Sequence, residues 1–463
     1  MEKASVRTEL KRVLGPWAAA SIVVGTVIGS GIFLVPTTMI QRVGTVQIVF
    51  VVWVVGGFLS LAGALSYAEL AAALPEAGGE YAYLREAYGP MWGFLYSWTQ
   101  MWVAKSGSIA TLATAFFVYL AHFFAPLNTV FYSLPVPLGP HGGPVEIRYG
   151  QLLAIVLILL LGWLNYFGVK VGGNVQIVVT VIKVGLIAFI IVAGLGFGHA
   201  VAKSPAEQGA IAPLTFAGFI AALVAALWAY DGWNNVSMVA SEIRDPQKNL
   251  PRALIGGTLT VIVIYLLANS AYFHVLMPQE VANATRVAAD LMQKILGGPG
   301  ASAVSIAAMI SIFAALNGSI LTGSRVPYAA ARQGYFFSAI GRVHPQHHTP
   351  GVSILVMCLW SSLLVLSGKY DDLFNLVIFA SWILYGMTAA AVIVLRRKRP
   401  ELYRPYRTVG YPLVPVLFIL GAFVLILSTA FDRPRESFLG IVLILIGLPF
   451  YFYWKKRLPG RVV

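Results

Sequence analysis

This sequence has almost no cysteine, little charge and little acid. Its one cysteine, Cys358, lies inside an apolar run, which excludes a disulfide within the chain. Charged residues make up 11% of 463 positions against 58% hydrophobic ones, and mean hydropathy is +0.79. That balance excludes a soluble globular domain. Asp and Glu total 18 against 32 Lys and Arg, for a net charge of +14. In a soluble chain such an excess would suggest nucleic acid. In a chain this apolar it points to basic loops on one side of a bilayer, and no nucleic-acid partner is expected. The histidines lie mostly in polar stretches (His141, His344, His347, His348), without metal-ligand spacing, and neither a P-loop nor a nucleophile elbow is present. No metal, cofactor, ATP site or enzymatic activity is therefore expected.

What the chain does have is apolar runs of 18 or more residues from end to end, each long enough to cross about 30 Å of hydrocarbon. They predict one all-α polytopic membrane domain of about twelve transmembrane helices. Residues 1–12 are charged, and the apolar segment that follows is too long for a signal-peptide core, so no cleavable signal is expected. With the amino terminus cytoplasmic, the inner loops carry Lys3, Arg7, Lys11, Arg12, the cluster Arg396, Arg397, Lys398 and Arg399, and the closing Lys455, Lys456, Arg457 and Arg461. The outer loops carry only Arg42, Arg148, Lys203, Arg286, Lys294, Lys369, Arg433 and Arg435. This asymmetry predicts both termini in the cytoplasm. Residues 125–148, rich in Pro and Gly, read as an irregular loop.

Two of the apolar segments are interrupted. The first holds V-G-T-V-I-G-S-G-I-F-L-V-P at 24–36, with Gly25, Gly29 and Gly31 where a spanning helix favours Ala or Leu. The glycines read either as a deliberate break or as close packing through small residues. The sixth is cut by Tyr230, Asp231, Gly232, Trp233, Asn234 and Asn235. An odd number of segments separates the two cuts, as in inverted repeats whose broken helices form a transporter site at mid-membrane. The repeats are expected at 1–198 and 213–396, with two further helices at 411–455. The start of a second half-helix suits an anion, and the end of a first half-helix suits a cation. Gly29, Ser30 and Gly31 would then hold a carboxylate, and the carbonyls near Trp228 and Ala229 an ammonium. Together they match the zwitterionic end of an α-amino acid. Trp228, Tyr230 and Trp233 are bulky enough to gate such a site, and equally fit ordinary packing.

Three charged residues lie within apolar segments. Lys183 is about mid-span. It reads as a proton carrier, as a fixed cation where another transporter would bind sodium, or as a lysine snorkelling to the interface. Lys105 is either a structural partner or a residue of the substrate path. Asp231 either caps the second half-helix, pairs with a lysine, or attracts a cationic side chain. Glu242, Arg244 and Arg325 read as gate salt bridges, and the first two equally as solvated loop charges. Ser108, Ser311, Asn317 and Ser381 are candidates to face the pocket.

The chain resembles the amino acid–polyamine–organocation superfamily, most closely the L-type amino acid transporter family and its bacterial relatives. The resemblance is carried by G-T-V-I-G-S-G-I-F at 25–33, A-L-S-Y-A-E-L at 64–70, G-G-E-Y-A-Y at 78–83, W-A-Y-D-G-W-N at 228–234, E-I-R-D-P-Q-K-N-L-P-R-A at 242–253, N-G-S-I-L-T-G-S-R at 317–325 and R-P-E-L-Y-R-P-Y at 399–406. It implies a LeuT-type fold with a 5+5 inverted repeat and segments 1 and 6 unwound. It also implies carboxylate binding at Gly29, Ser30 and Gly31, amino-group binding by carbonyls of Ile28, Trp228, Ala229 and Tyr230, and an outer gate at Trp228. Lys183 falls where the family's lysine replaces a sodium site. Asp231 occurs in relatives that accept cationic amino acids, though not only in those. Eukaryotic members bond a single-span partner through a cysteine between helices 3 and 4; residues 125–148 contain none, so no disulfide-linked heavy chain is expected. The implied function is sodium-independent L-amino acid transport across the plasma membrane, as an exchanger or as a proton symporter using Lys183.

Overall fold

A backbone inside hydrocarbon must satisfy its own N–H and C=O groups, and long apolar runs do so as helices. The computed structural model describes residues 9–135, 144–199, 211–367 and 370–458. Lys3, Arg7, Lys203, Lys369, Arg461 and His141 lie outside them. The chain enters through α1 (Pro16–Val27) and α2 (Gly31–Val43), which meet at 40°. It returns through α3 (Val46–Ala73), and the short α4 (Glu80–Tyr88) leads into α5 (Pro90–Thr99). A π-helical turn at Gln100–Ala104 joins α5 to α6 (Lys105–Leu120). Next come α7 (Tyr149–Tyr166), α8 (Val169–Gly196), α9 (Phe216–Ala229) and the one-turn α10 (Asn235–Met238). α11 (Pro246–Val275) is followed by the short α12 (Pro278–Asn283) and α13 (Val287–Leu296), then α14 (Gly298–Gly323) and α15 (Arg325–Arg332). The chain closes with α16 (Gly351–Leu366), α17 (Tyr370–Lys398), α18 (Leu413–Asp432), α19 (Pro434–Leu445) and α20 (Gly447–Arg457).

Among the described residues nine helices are long and apolar enough to cross a membrane, or ten if α1 and α2 count as one span. The sequence led us to expect about twelve. The difference falls on α9 and α16, which are apolar but shorter than the others. α9 is short because it stops at the interruption after Ala229.

Residues 125–148 are not wholly irregular. Val130–Leu134 and Val145–Arg148 pair as an antiparallel hairpin. The β-branched and aromatic residues of V-F-Y-S-L carry the strand, a signal masked in the sequence by the surrounding prolines and glycines.

The face at the start of α1 is zipped shut. Val13 and Leu14 donate their N–H groups to Glu242 O, both at 3.0 Å, and Arg244 N–H returns to Leu14 O at 2.9 Å. Glu242 also receives Arg325 Nε at 2.7 Å, with both side chains fully buried. The two residues therefore form a buried pair, and the solvated reading holds only for Arg244. Gly79, at φ +50, lies so close to the chain after the second break that a Cβ there would sit 2.7 Å from Ser237 C. That approach brings α4 against α10 and buries Glu80 completely.

Candidate functional site at the two helix breaks

The first break opens where Ile28 leaves the helix at ψ 90°. Its exposed carbonyls are captured from two other helices. Lys183, fully buried on α8, donates to Gly25 O at 2.7 Å, to Ser311 O at 3.2 Å and to Ile28 O. Ser311 Oγ lies 2.9 Å from Ile28 O and 3.2 Å from Gly29 O. Lys183 therefore does not snorkel. The glycines divide between the two readings the sequence left open. A Cβ at Gly25 would lie 2.1 Å from Gln176 Nε2, and one at Gly31 would lie 2.8 Å from Ala229 Cα. Those two permit close packing. Gly29 has nothing nearer than 3.9 Å and belongs to the break itself.

The second break follows Ala229. Gly232 has φ +105, a conformation that glycine adopts without strain. The freed carbonyls are met by side chains. Thr26 Oγ1 donates to Gly232 O at 2.9 Å, and Tyr265 OH lies 2.8 Å from Ala229 O and 3.1 Å from Val27 O. Tyr265 thus ties one break to the other. Asp231 does not cap α10, whose N-cap is Asn234 without a side-chain bond; its Oδ1 instead accepts from Tyr385 OH at 3.0 Å. Lys105 Nζ donates to Asn235 Oδ1 at 2.6 Å, and Asn234 Nδ2 donates to Glu80 Oε1. Glu80 lies outside the spanning helices, and burial pushes its carboxyl up to about 7.

Between the breaks lies a small cavity of about 60 Å³, room enough for several water-sized groups. Gly29, Ser30, Gly31, Trp228, Ala229 and Asp231 line it. Ile28 and Tyr230 do not: the Ile28 carbonyl is taken by Lys183 and Ser311, and Tyr230 OH donates to Trp53 O at 3.2 Å. Of the candidate polar residues, Ser108 and Ser381 line the cavity. Ser311 sits at the first break, and Asn317 binds Gln176 Oε1 at 2.8 Å. Sequence reasoning missed Thr26, Thr111, Ser319 and Trp382, all in the wall. Thr111 was within reach, since it stands three residues beyond Ser108 on the same helical face. Among the described residues, the buried hydroxyls of Ser30 and Thr111 have no hydrogen-bond partner. A buried polar atom without a partner is costly, and two in one wall mark a place for a polar ligand or water. Trp228 also lines a wider cavity between α2, α9 and the end of α18, so it borders both spaces.

Polar groups converging on a cavity at two helix breaks, in a bundle of apolar helices, define a polytopic membrane protein of the transporter class. Residues 14–449 match the amino acid permease family, and the chain belongs to that family. It is similar to the serine/threonine exchanger SteT of Bacillus subtilis (strain 168), with 34% identity over 454 residues covering 97% of this chain and 98% of that protein. It shares 34% identity with the b(0,+)-type amino acid transporter 1 of Mus musculus, covering 100% of this chain and 93% of the relative. With the large neutral amino acids transporter small subunit 2 of Homo sapiens, identity is 33% over 97% of this chain and 82% of the relative. These relatives are amino acid transporters, and the family is one of transporters rather than enzymes.

Proposed function

We propose that this protein exchanges L-amino acids across the plasma membrane without sodium, by alternating access between two inverted repeats at 1–198 and 213–396. The observation that carries the reading is Lys183 Nζ seated among the carbonyls of Gly25, Ile28 and Ser311. Carbonyl oxygens at a helix break are the ligands a transported alkali cation would need. A lysine already there supplies the positive charge, so the bundle needs no sodium to hold the first break.

The substrate's carboxylate lies against the N–H groups of Gly29, Ser30 and Gly31, with the unpartnered Ser30 hydroxyl beside them. Its ammonium lies at the carbonyl end of α9, at Trp228, Ala229 and Tyr230, with Asp231 in the same wall. Ile28 contributes through Lys183, since its carbonyl is already bonded. Trp228 gates the passage to the wider cavity. The termini are cytoplasmic, which makes the zipped face at Leu14, Glu242 and Arg325 the inner gate. The absence of cysteine from 125–148 supports a transporter that works without a disulfide-linked partner. That one of the relatives described above is named a serine/threonine exchanger supports exchange.

The test is uptake of labelled amino acids into sodium-free proteoliposomes, with and without unlabelled amino acids inside. Uptake that requires preloading is expected. Uptake into empty vesicles driven by an inward proton gradient would replace exchange with symport, and a requirement for sodium would overturn the role given to Lys183.

A further inference from the structure

The backbone sites above hold the part common to all α-amino acids and leave the substrate's side chain unaddressed. We infer that Lys105 selects that side chain, favouring amino acids that carry a hydrogen-bond acceptor and no net charge. This assignment rests on the proposed function for the presence of an amino acid in the cavity.

Lys105 lines the cavity and is 7% exposed. Among the described residues its one hydrogen bond is to Asn235 Oδ1 at 2.6 Å. The carboxylates of Asp231 and Glu80 lie near enough to act on its charge but none is within ion-pair distance, so no carboxylate takes its donors. An ammonium carries three N–H donors, so donors remain for a ligand. A charge at this depth with unused donors is expensive unless something in the cavity accepts from it.

The fold makes room for this lysine in two places. The π-helical turn Gln100–Ala104 ends at Lys105 and re-aims the residues that follow it. On the facing helix, a Cβ at Gly323 would lie 2.3 Å from Lys105 Cγ and 3.0 Å from Cδ. Glycine there leaves a slot for the lysine stem.

The wall around it sets the class of side chain. Ser108, Thr111, Ser319 and Ser381 present hydroxyls, and Thr111 Oγ1 is buried without a partner. Asp231 is the carboxylate of the same wall and already accepts from Tyr385. Lys105 and Asp231 offset each other, so a charged side chain of either sign is drawn by one and repelled by the other, and finds no surplus counter-charge to repay leaving water. A neutral side chain with a hydroxyl or amide oxygen satisfies Lys105 at no such cost. An apolar side chain of equal size leaves the Lys105 donors unpaired, which is how a polar site rejects a ligand lacking the matching group.

The experiment uses the full chain in sodium-free proteoliposomes and two isosteric pairs, threonine against valine and serine against 2-aminobutyrate. Wild type is expected to favour the hydroxyl member by about tenfold or more in kcat/KM, the worth of one hydrogen bond to a charged group. In Lys105→Met that ratio should collapse towards one, and Lys105→Arg should restore part of it. A wild-type ratio near one would overturn the assignment, a result that needs no variant to fold. So would a Lys105→Met protein that transports threonine and valine more slowly by the same factor, since a purely structural lysine would affect both alike. Failure of wild type to exchange any amino acid would instead overturn the proposed function, so the two readings fail separately.

Discussion

At the first break Lys183 reaches from α8 to main-chain oxygens of Gly25, Ile28 and Ser311. At the second, Lys105 reaches from α6 to a side-chain oxygen of Asn235. Main-chain carbonyls are present whatever the residue, so the Lys183 joint depends on one side chain only. It holds geometry and is blind to chemistry. The Lys105 joint needs both partners and leaves donors facing the cavity, so it can be adjusted one residue at a time. One lysine therefore behaves as a mechanical fixture and the other as a chemical one, though both are lone lysines in apolar helices.

The largest effect should come from forcing the two breaks apart. Gly31→Leu places atoms where a Cβ alone already lies 2.8 Å from Ala229 Cα, and it should abolish substrate binding measured on purified protein. Gly29→Ala, with 3.9 Å of clearance, should leave the fold intact by size-exclusion profile. If Gly31→Leu still bound substrate, the contact between the breaks would be packing alone.

Next in size, Lys183→Ala removes all three of its bonds and leaves the Gly25 and Ser311 carbonyls without it, with Ile28 O still held by Ser311. It should slow exchange by about a hundredfold or more while the protein stays folded, as expected for losing several buried hydrogen bonds to a charged group. Unchanged exchange would remove Lys183 from the mechanism and end the comparison. Asn235→Ala removes one bond from Lys105 and should cost about tenfold or less. A loss as large as that of Lys183→Ala would mean that the second break is also a fixture.

The smallest effect expected is a change in pH dependence at Glu80. In the closed arrangement Glu80 faces Asn234 and the phenols of Tyr67, Tyr83 and Tyr96, and the positive charge of Lys105 offsets only part of the burial. Its carboxyl stands at about 7 there. Once the face opens to water, the carboxyl returns towards the ordinary value near 4.3. The closed face binds the proton more tightly, so protonation stabilises it below about pH 7 and that stabilisation is lost as pH rises through 7. Exchange limited by opening of this face should therefore rise between about pH 6 and 8, and Glu80→Gln should flatten the profile. A wild-type profile without an inflection near 7 would argue that Glu80 keeps one protonation state throughout.

Much of this was legible along the chain. The apolar runs marked the spanning helices, and glycines with polar residues marked both breaks within a residue or two. Gly29, Ser30, Gly31, Trp228, Ala229 and Asp231 were named as site residues and line one cavity. The misses have physical causes. Helical phase cannot be read from a helix that is apolar on all sides, so Ser311 and Asn317 were grouped with Ser108 and Ser381 although they face elsewhere. A threonine such as Thr26 bonds to its own helix, at 2.6 Å to Ile22 O, as readily as to the opposite break at Gly232 O. Nothing local separates the two. The hairpin at 130–134 and 145–148 was hidden because strands need a partner, and its partner lies beyond a Pro- and Gly-rich stretch.

The sequence by itself determined that the chain crosses a membrane repeatedly and that two of its helices are interrupted. Both follow from local causes: hydrocarbon forces apolar residues into helices, and glycine beside polar residues ends them. Only the tertiary structure decided what each buried charge does. Lys183 and Lys105 look alike in their own helices. Their partners lie 158 and 130 residues away for Gly25 and Asn235, and a hydrogen bond is defined by where its acceptor sits in space, which no local pattern encodes.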